Sequence, residues 1–516
     1  MGEASGSNPD GSTQNLGRFI YNKMSSNNKV GETQSLCPIC KEVIHAELLD
    51  IDGRVTIKKK CSIHGSFEDI YWGNLEHYKW TLGFMNGKSG VENPRTIRKN
   101  GCPNDCGICN EHKSHTVLGI IDITNRCNLR CPPCFANAGR SGYVYEPSKE
   151  QIRDMLLNLR NNKPVPTYAI QFSGGEPTLR DDLPELIEMA KELGFLHIEV
   201  NTNGIRFAND FDYAQKVWEA GANTIYLQFD GTDDNIYKKT RGVPLFEKKL
   251  KAIENWRKLN GIIVLVVTLI KGVNDHHLGE IIKFAVKNSD VVKCVNVQPI
   301  SFSGKASEMD VKSNRITTYD FINLVEKQTN GKIKAKHFYP VPSVTTISRF
   351  VEAYSADKFP VFSTHPCCGV GTFLLTNGND YKTINEIVDV DKFFSLLREM
   401  SYDLKKEKNS KKVKFTKFKS MARLFAELPF IIKDPKVKDL ILDVLKERSY
   451  KATSNFSENA LLIGCMHFMD AWNFDLRRVE RCCIHYSLPN GKIIPFCSYN
   501  TLHREEVERE FAMKSI

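Results

Sequence analysis

Three cysteines at 127, 131 and 134, spaced C-x3-C-x2-C and followed by Phe135, are the strongest chemical signal in the chain. Three thiolates on one short loop can hold three irons of a [4Fe–4S] cube and leave the fourth iron open to a cofactor. The competing reading is a zinc loop that takes a distant fourth ligand. Further along, Ser173-Gly174-Gly175-Glu176-Pro177 pairs two glycines, which let backbone approach a ligand, with Glu176, a carboxylate able to hold an ammonium group. Asn201-Thr202-Asn203-Gly204 offers amides suited to ribose hydroxyls or a carboxylate, and Gln228-Phe229-Asp230-Gly231 is a fourth polar turn. Each alone reads as an ordinary turn. Together, beside the cysteine loop, they read as one cofactor site.

The remaining cysteines are also grouped. The chain has 16, too sparse for a disulfide scaffold, and spacings of three or four residues converge on a metal better than they pair with each other. Cys37-x2-Cys40 and Cys61-x2-His64 form two knuckles that predict a tetrahedral mononuclear site, rubredoxin-like iron or zinc, with His64 its least secure ligand. Cys102-x3-Cys106-x2-Cys109 repeats the cluster spacing and predicts an auxiliary [4Fe–4S] cluster, with His112, His115 or a distant cysteine as fourth ligand. Cys465, Cys482, Cys483 and Cys497 can supply a second auxiliary [4Fe–4S] cluster, with Cys367 and Cys368 competing for a place. Cys294, inside an apolar run, reads as a buried small hydrophobe.

The elements that position these residues alternate. Apolar strand patterns at 117–123, 167–173, 197–202, 223–229, 262–270 and 291–299 are followed by helical patterns at about 149–161, 182–193, 211–220, 245–259, 277–288 and 318–328. Such alternation builds parallel βα units with right-handed crossovers. Six units predict an α/β fold, a partial (βα)6 TIM-type barrel with function at the C-terminal strand ends. The expected organisation is a flexible tail at 1–30, a metal-knuckle and cluster-loop module at 31–115, the barrel at 116–345, and an auxiliary iron–sulfur domain at 346–516. Within the last, 404–423 holds nine Lys or Arg against one Glu, most of the net charge of +10, and leads into an amphipathic segment to 432. With 41% hydrophobic residues and no apolar run near the ~20 residues of a membrane span, disorder and transmembrane classes are excluded. Residues 1–28 are polar and carry no secretory pattern, so a reduced, cytoplasmic metalloprotein is expected.

Cys127 to Phe135, Gly174-Gly175-Glu176-Pro177 and Asn201-Thr202-Asn203-Gly204 resemble the radical S-adenosylmethionine (SAM) superfamily over about 116–300. The resemblance implies that Cys127, Cys131 and Cys134 ligate a cluster whose open iron chelates the methionine amine and carboxylate of SAM. One electron then cleaves the sulfonium to a 5′-deoxyadenosyl radical. Glu176 would touch the methionine ammonium, Gly174 and Gly175 its backbone-facing side, and Asn203 the ribose or carboxylate; Phe135, Asn201, Gln228 and Asp230 complete the expected cofactor contacts.

A narrower resemblance spans about 31–500: the order of cysteine motifs, Thr124-Asn-Arg-Cys127 and Phe496-Cys497-Ser-Tyr-Asn500 look like the archaeal tetraether lipid synthases. That implies joining two unactivated methyl termini of phytanyl chains of archaeal diether phospholipids, with two SAM cleaved per bond. The partners implied are the diether phospholipid, a membrane surface met through the 404–432 segment, and an electron donor such as ferredoxin or flavodoxin, with peripheral attachment at the cytoplasmic membrane. An apolar channel to the C-terminal strand ends is then expected. The alternative is a radical SAM enzyme that crosslinks or oxidises a peptide. A metal-ribbon adaptor gripping nucleic acid is disfavoured, because the positive charge is confined to one segment.

Overall fold

The computed structural model describes residues 28–355, 358–406, 410–435, 437–439, 441–442 and 460–513. Residues 1–27 of the expected tail and 407–409 of the basic run lie outside them.

The N-terminal module is a meander of four antiparallel strands, β1 (Lys29–Leu36), β2 (Val43–Ile51), β3 (Arg54–Cys61) and β4 (Gly65–Trp72). Because the strands alternate in direction, the β1–β2 turn and the β3–β4 turn lie at the same end of the sheet. Those turns carry Cys37 and Cys40, then Cys61 and His64. Ala46, Leu48, Val55 and Ile57 are fully buried and anchor the sheet's inner face.

The barrel begins with β5 (Leu118–Thr124). The cysteine loop and a short β6 (Val144–Tyr145) follow, then β7 (Ala169–Gly174), β8 (His197–Thr202), β9 (Thr224–Gln228), β10 (Ile262–Leu269) and β11 (Val292–Pro299). β5, β7, β8, β9, β10 and β11 pair parallel in that order. The helices between them sit where the periodicity placed them, for physical reasons legible locally. In Lys149–Arg160, Ser148 caps the N-terminus in a capping box with Gln151, and Ile152, Met155, Leu156 and Leu159 fall on one face. Each such side chain contributes roughly 1.5–3 kcal/mol on burial. Helix Thr318–Gln328 is capped likewise by Thr317 with Asp320. The six-stranded partial barrel read from the sequence is therefore present.

After helix Thr318–Gln328 the chain stops making βα units and adds strands to the existing sheet. β12 (Tyr339–Pro340), β13 (Gly369–Thr376), β14 (Tyr381–Thr383) and β15 (Leu461–Met466) extend one edge, and β16 (Ile484–Ser487) and β17 (Ile493–Pro495) the other. β15 lies parallel to β11 and β16 parallel to β5, so eight strands run parallel, in the order β15-β11-β10-β9-β8-β7-β5-β16. β18 (Ala512–Met513) closes on β6 beside the cysteine loop.

The two faces of this sheet differ. Ile170, Phe172, Ile198, Val200, Ile225, Leu227, Val295 and Val297 point to the helices and form the main core. Their neighbours point the other way, into the barrel: Gln171, Ser173, Glu199, Asn201, Tyr226, Gln228, Asn296 and Gln298, with valines supplied mainly by β10.

Candidate active site

The cysteine loop leaves β5 at its C-terminal end and is held by backbone. Gly175 donates to the Thr124 carbonyl at 2.7 Å, and Glu176 to the Arg126 carbonyl at 2.8 Å. Gly174 has φ +135, and a Cβ there would stand 2.1 Å from the Thr124 oxygen; one on Gly175 would stand 2.2 Å from the Arg126 oxygen. The Gly-Gly pair is thus demanded by the close approach of two protein segments, whatever it also does for a ligand. From the far side, Lys305 N–H donates to the Cys134 carbonyl at 2.9 Å.

Cys127, Cys131 and Cys134 are each partly exposed on this loop. Burial, with the charges of Glu176, Cys131 and Cys134 adding to it, pushes the Cys127 thiol up to about 12. Three thiols on one short loop with no fourth thiol fit a cluster that takes three protein ligands and keeps one iron open. Arg241 stands behind them. It pairs bidentately with Asp230 at 2.7 and 2.9 Å and reaches Thr268 at 2.8 Å, and its guanidinium also faces the Cys131 sulfur.

The strand-end residues expected to meet the cofactor divide into two kinds. Asn201 and Asn203 stay within reach of a ligand: Asn201 Nδ2 donates to Ser173 Oγ at 3.2 Å, and Asn203 Nδ2 to Asn128 Oδ1 on the cysteine loop at 2.7 Å. Glu176 is buried, and its carboxylate accepts from Thr178 N–H (3.2 Å), Thr178 Oγ1 (2.7 Å), Thr202 Oγ1 (2.7 Å) and Asn203 N–H (2.7 Å). Asp230 is fully buried and committed to Arg241. Gln228 accepts from Lys249 Nζ at 2.7 Å through Oε1, and its Nε2 is buried without a partner among the described residues. Phe135 packs on Phe496, ring centroids 5.9 Å apart.

Lys249 was not anticipated. It is fully buried on helix Phe246–Lys258, bonded also to the Asn203 carbonyl at 2.5 Å, and burial lowers its pKa to about 7. Nothing in a run such as Glu247-Lys-Lys-Leu-Lys251 separates one inward lysine from outward ones except its place on the helical face.

In the N-terminal module the four expected ligands converge. Cys37 Sγ and Cys61 Sγ lie 3.7 and 3.6 Å from His64 Nδ1, and Cys40 Sγ lies 3.9 Å from Cys61 Sγ. All four ligand atoms fall within 4.8 Å of one another. A tetrahedron of ligands ~2.3 Å from a metal has edges of ~3.8 Å, so the set fits zinc or iron, with His64 a full member.

The C-terminal cysteines regroup relative to expectation. Burial, with the charge of Cys368 adding to it, raises the Cys482, Cys483 and Cys497 thiols, so these four lie near one another, whereas Cys465 lies apart on β15, buried in the main core beside Thr318. Strand alternation places Cys465 on the helix-facing side, away from the other thiols. The Cys102 and Cys106 thiols are in hydrogen-bond contact, and Cys106 also senses Cys482. Arg478, buried and bonded to the His467 carbonyl at 2.5 Å, faces Cys368, Cys497 and Cys367 as their counter-charge. His112 and His115 are buried; His112 Nε2 meets the Cys482 carbonyl at 2.8 Å and His485 at 3.1 Å.

The radical SAM superfamily model matches residues 121–285, and the model of the HMPTM N-terminal zinc ribbon domain matches 30–73. Over 495 residues, 93% of this chain and 96% of the relative, the chain is 49% identical to 7,8-dihydro-6-hydroxymethylpterin dimethyltransferase of Methanocaldococcus jannaschii. The chain belongs to that family. It is a radical SAM enzyme, carrying the [4Fe–4S] cluster and SAM that the superfamily implies. A protein of Saccharolobus islandicus described as a probable GTP 3′,8-cyclase is 27% identical over 56% of this chain and 89% of its own. Among solved structures, SAM-bound SuiB of Streptococcus suis superposes with a TM-score of 0.35 at 17% identity, over 42% of this chain and 48% of that one.

Family membership corrects the narrower resemblance. The near full-length match is to a pterin enzyme, not a tetraether lipid synthase, so the joining of phytanyl chains and the diether phospholipid and membrane-surface partners are withdrawn. The peptide-modifying alternative gains nothing either. The error has a physical side: Ala169 and Cys294 apart, the barrel-facing side chains of β7, β8, β9 and β11 are polar, so the described residues of these strands do not form the expected apolar channel. Helix Ser410–Ile431 buries Leu424 and Leu428 against its neighbours, and among the described residues no helix is long and apolar enough to cross a membrane.

Proposed function

We propose that this enzyme transfers methyl groups to a dihydropterin, the activity for which its M. jannaschii relative is named. The observation that carries the reading is the 49% identity running through ribbon, barrel and C-terminal strands alike, beyond the 121–285 shared with the superfamily at large. The polar barrel interior supports it, because a dihydropterin is a small, flat heterocycle rich in hydrogen-bonding edges.

In this reading Cys127, Cys131 and Cys134 hold the cluster. Asn201 and Asn203 present amides to SAM, and Glu176 fixes the strand ends that carry them. A reduced cluster with SAM supplies a one-electron route to an oxidant strong enough for unactivated carbon. Arg241 places a permanent positive charge beside Cys131. Cys102, Cys106 and Cys109, and the set around Cys368, Cys482, Cys483 and Cys497, would hold auxiliary clusters, with Arg478 balancing the second.

The test is substrate-dependent cleavage of SAM. The anaerobically reconstituted, dithionite-reduced enzyme should form 5′-deoxyadenosine several-fold faster with 7,8-dihydro-6-hydroxymethylpterin than without it. Stimulation by peptides or diether lipids but not by the pterin would overturn the proposal.

A further inference from the structure

We infer that Glu199 and Tyr226, inward-pointing residues of the neighbouring strands β8 and β9, form the seat for the pyrimidine edge of the pterin. This rests on the pterin reading and adds which residues recognise the substrate.

That edge presents, in order, the 2-amino N–H, the N3–H and the O4 carbonyl: two donors and one acceptor. Its complement is a carboxylate beside a hydroxyl donor. Four carboxylates stand at or inside the barrel, and three are committed. Asp122 pairs with Arg504 at 2.6 Å through Oδ2 and keeps its Oδ1 closed off from solvent, Asp230 pairs with Arg241 at 2.7 Å, and Glu176 accepts four protein donors. Glu199 has no guanidinium partner among the described residues. It accepts from Gln171 Nε2 at 2.8 Å through one oxygen and meets His197 Nε2 at 2.7 Å through the other, which holds the carboxylate in place and leaves lone pairs on both. Its side chain is 12% exposed, so it still opens on accessible space, whereas Val200 beside it on the packed face is fully buried.

Tyr226 supplies the donor. Its hydroxyl accepts from both Asn296 Nδ2 and, at 2.9 Å, Gln298 Nε2. With the lone pairs engaged from β11, the phenolic proton is the group left to give, and it has no protein acceptor among the described residues. Burial, with the charge of Glu199 adding to it, raises the phenol's pKa and keeps that proton on the oxygen. Both residues sit one inward position below Asn201 and Gln228 on their strands, roughly 6.6 Å towards the barrel floor. A pterin held there lies beneath the strand ends where SAM is expected.

The test uses the reconstituted holoenzyme, with the dihydropterin and its 2-oxo analogue as probes. Glu199→Gln swaps one acceptor for a donor, and should weaken dihydropterin binding on the order of 10- to 100-fold. The same variant should gain relative affinity for the 2-oxo analogue, whose edge matches an amide, while SAM binding and iron content hold. Tyr226→Phe should weaken both probes alike. Should Glu199→Gln not fold, wild-type discrimination against the 2-oxo analogue decides. Equal binding of the pterin by wild type and Glu199→Gln, or equal binding of both probes by wild type, overturns the seat while leaving the pterin reading intact. Failure of wild type to bind the pterin at all overturns that reading itself.

Discussion

The Glu176 carboxylate accepts the backbone N–H of Asn203 at 2.7 Å, so the turn ending β7 and the turn ending β8 share one buried anion. Its other oxygen takes three further donors from Thr178 and Thr202. The amides of Asn201 and Asn203, proposed above to meet SAM, therefore depend on a residue whose acceptor sites are mostly spent within the protein. Glu176→Gln must turn an NH2 group towards one of those donors. The expected cost is about 1.5–3 kcal/mol of unfolding free energy, read as a lowered urea midpoint, together with weaker SAM binding. A midpoint equal to wild type would remove Glu176 from this role.

The ribbon makes a separate prediction. The purified protein should carry one zinc or iron per chain that is independent of the three cluster cysteines. The triple variant Cys127→Ala, Cys131→Ala, Cys134→Ala should lose about four irons and all SAM cleavage yet keep that metal. His64→Ala should lose the ribbon metal to a chelator that leaves wild type loaded. Metal retention by His64→Ala at equal chelator would show the histidine to be a bystander.

Arg315 is the guanidinium on which three segments meet: it bonds Asp470 at 2.8 and 3.0 Å and Asp69 of β4 at 2.8 Å, all three side chains buried. Arg315→Met strands two carboxylates in a dry site and should destabilise the fold by about 3–5 kcal/mol. Thermal unfolding measures it; a shift of a degree or less would contradict the assignment.

Lys249 predicts a pH dependence. Burial holds its ammonium down to about 7, against about 10.4 in an unfolded chain, so unfolding between those values takes up a proton. The wild type should therefore gain stability as pH rises from 7 to 10, by up to about 1.4 kcal/mol per unit, relative to Lys249→Met. Parallel stability curves for the two proteins would contradict it.

How much of this was legible follows from the range of each interaction. The knuckles, the cysteine loop and the six βα units rest on short spacings and local periodicity, and they stand where the sequence put them. The partition of the C-terminal thiols does not, because which of Cys368, Cys465, Cys482 and Cys483 share a site depends on strands that join opposite edges of the sheet. The polar lumen was legible and went unread: His197-Ile-Glu199-Val-Asn201 and Thr224-Ile-Tyr226-Leu-Gln228 alternate perfectly, and period two assigns the polar members to one face. That alternation places amides where the narrower resemblance implies a lipid channel.

The most direct test of the account is the mass of the pterin after turnover. Reconstituted enzyme, reduced anaerobically with dithionite and supplied with SAM as radical source, a one-carbon donor for the methyl groups and 7,8-dihydro-6-hydroxymethylpterin, should yield a pterin heavier by one and then two methylene units, with 5′-deoxyadenosine accumulating alongside. Pterin recovered unchanged from enzyme that is cleaving SAM would contradict the account.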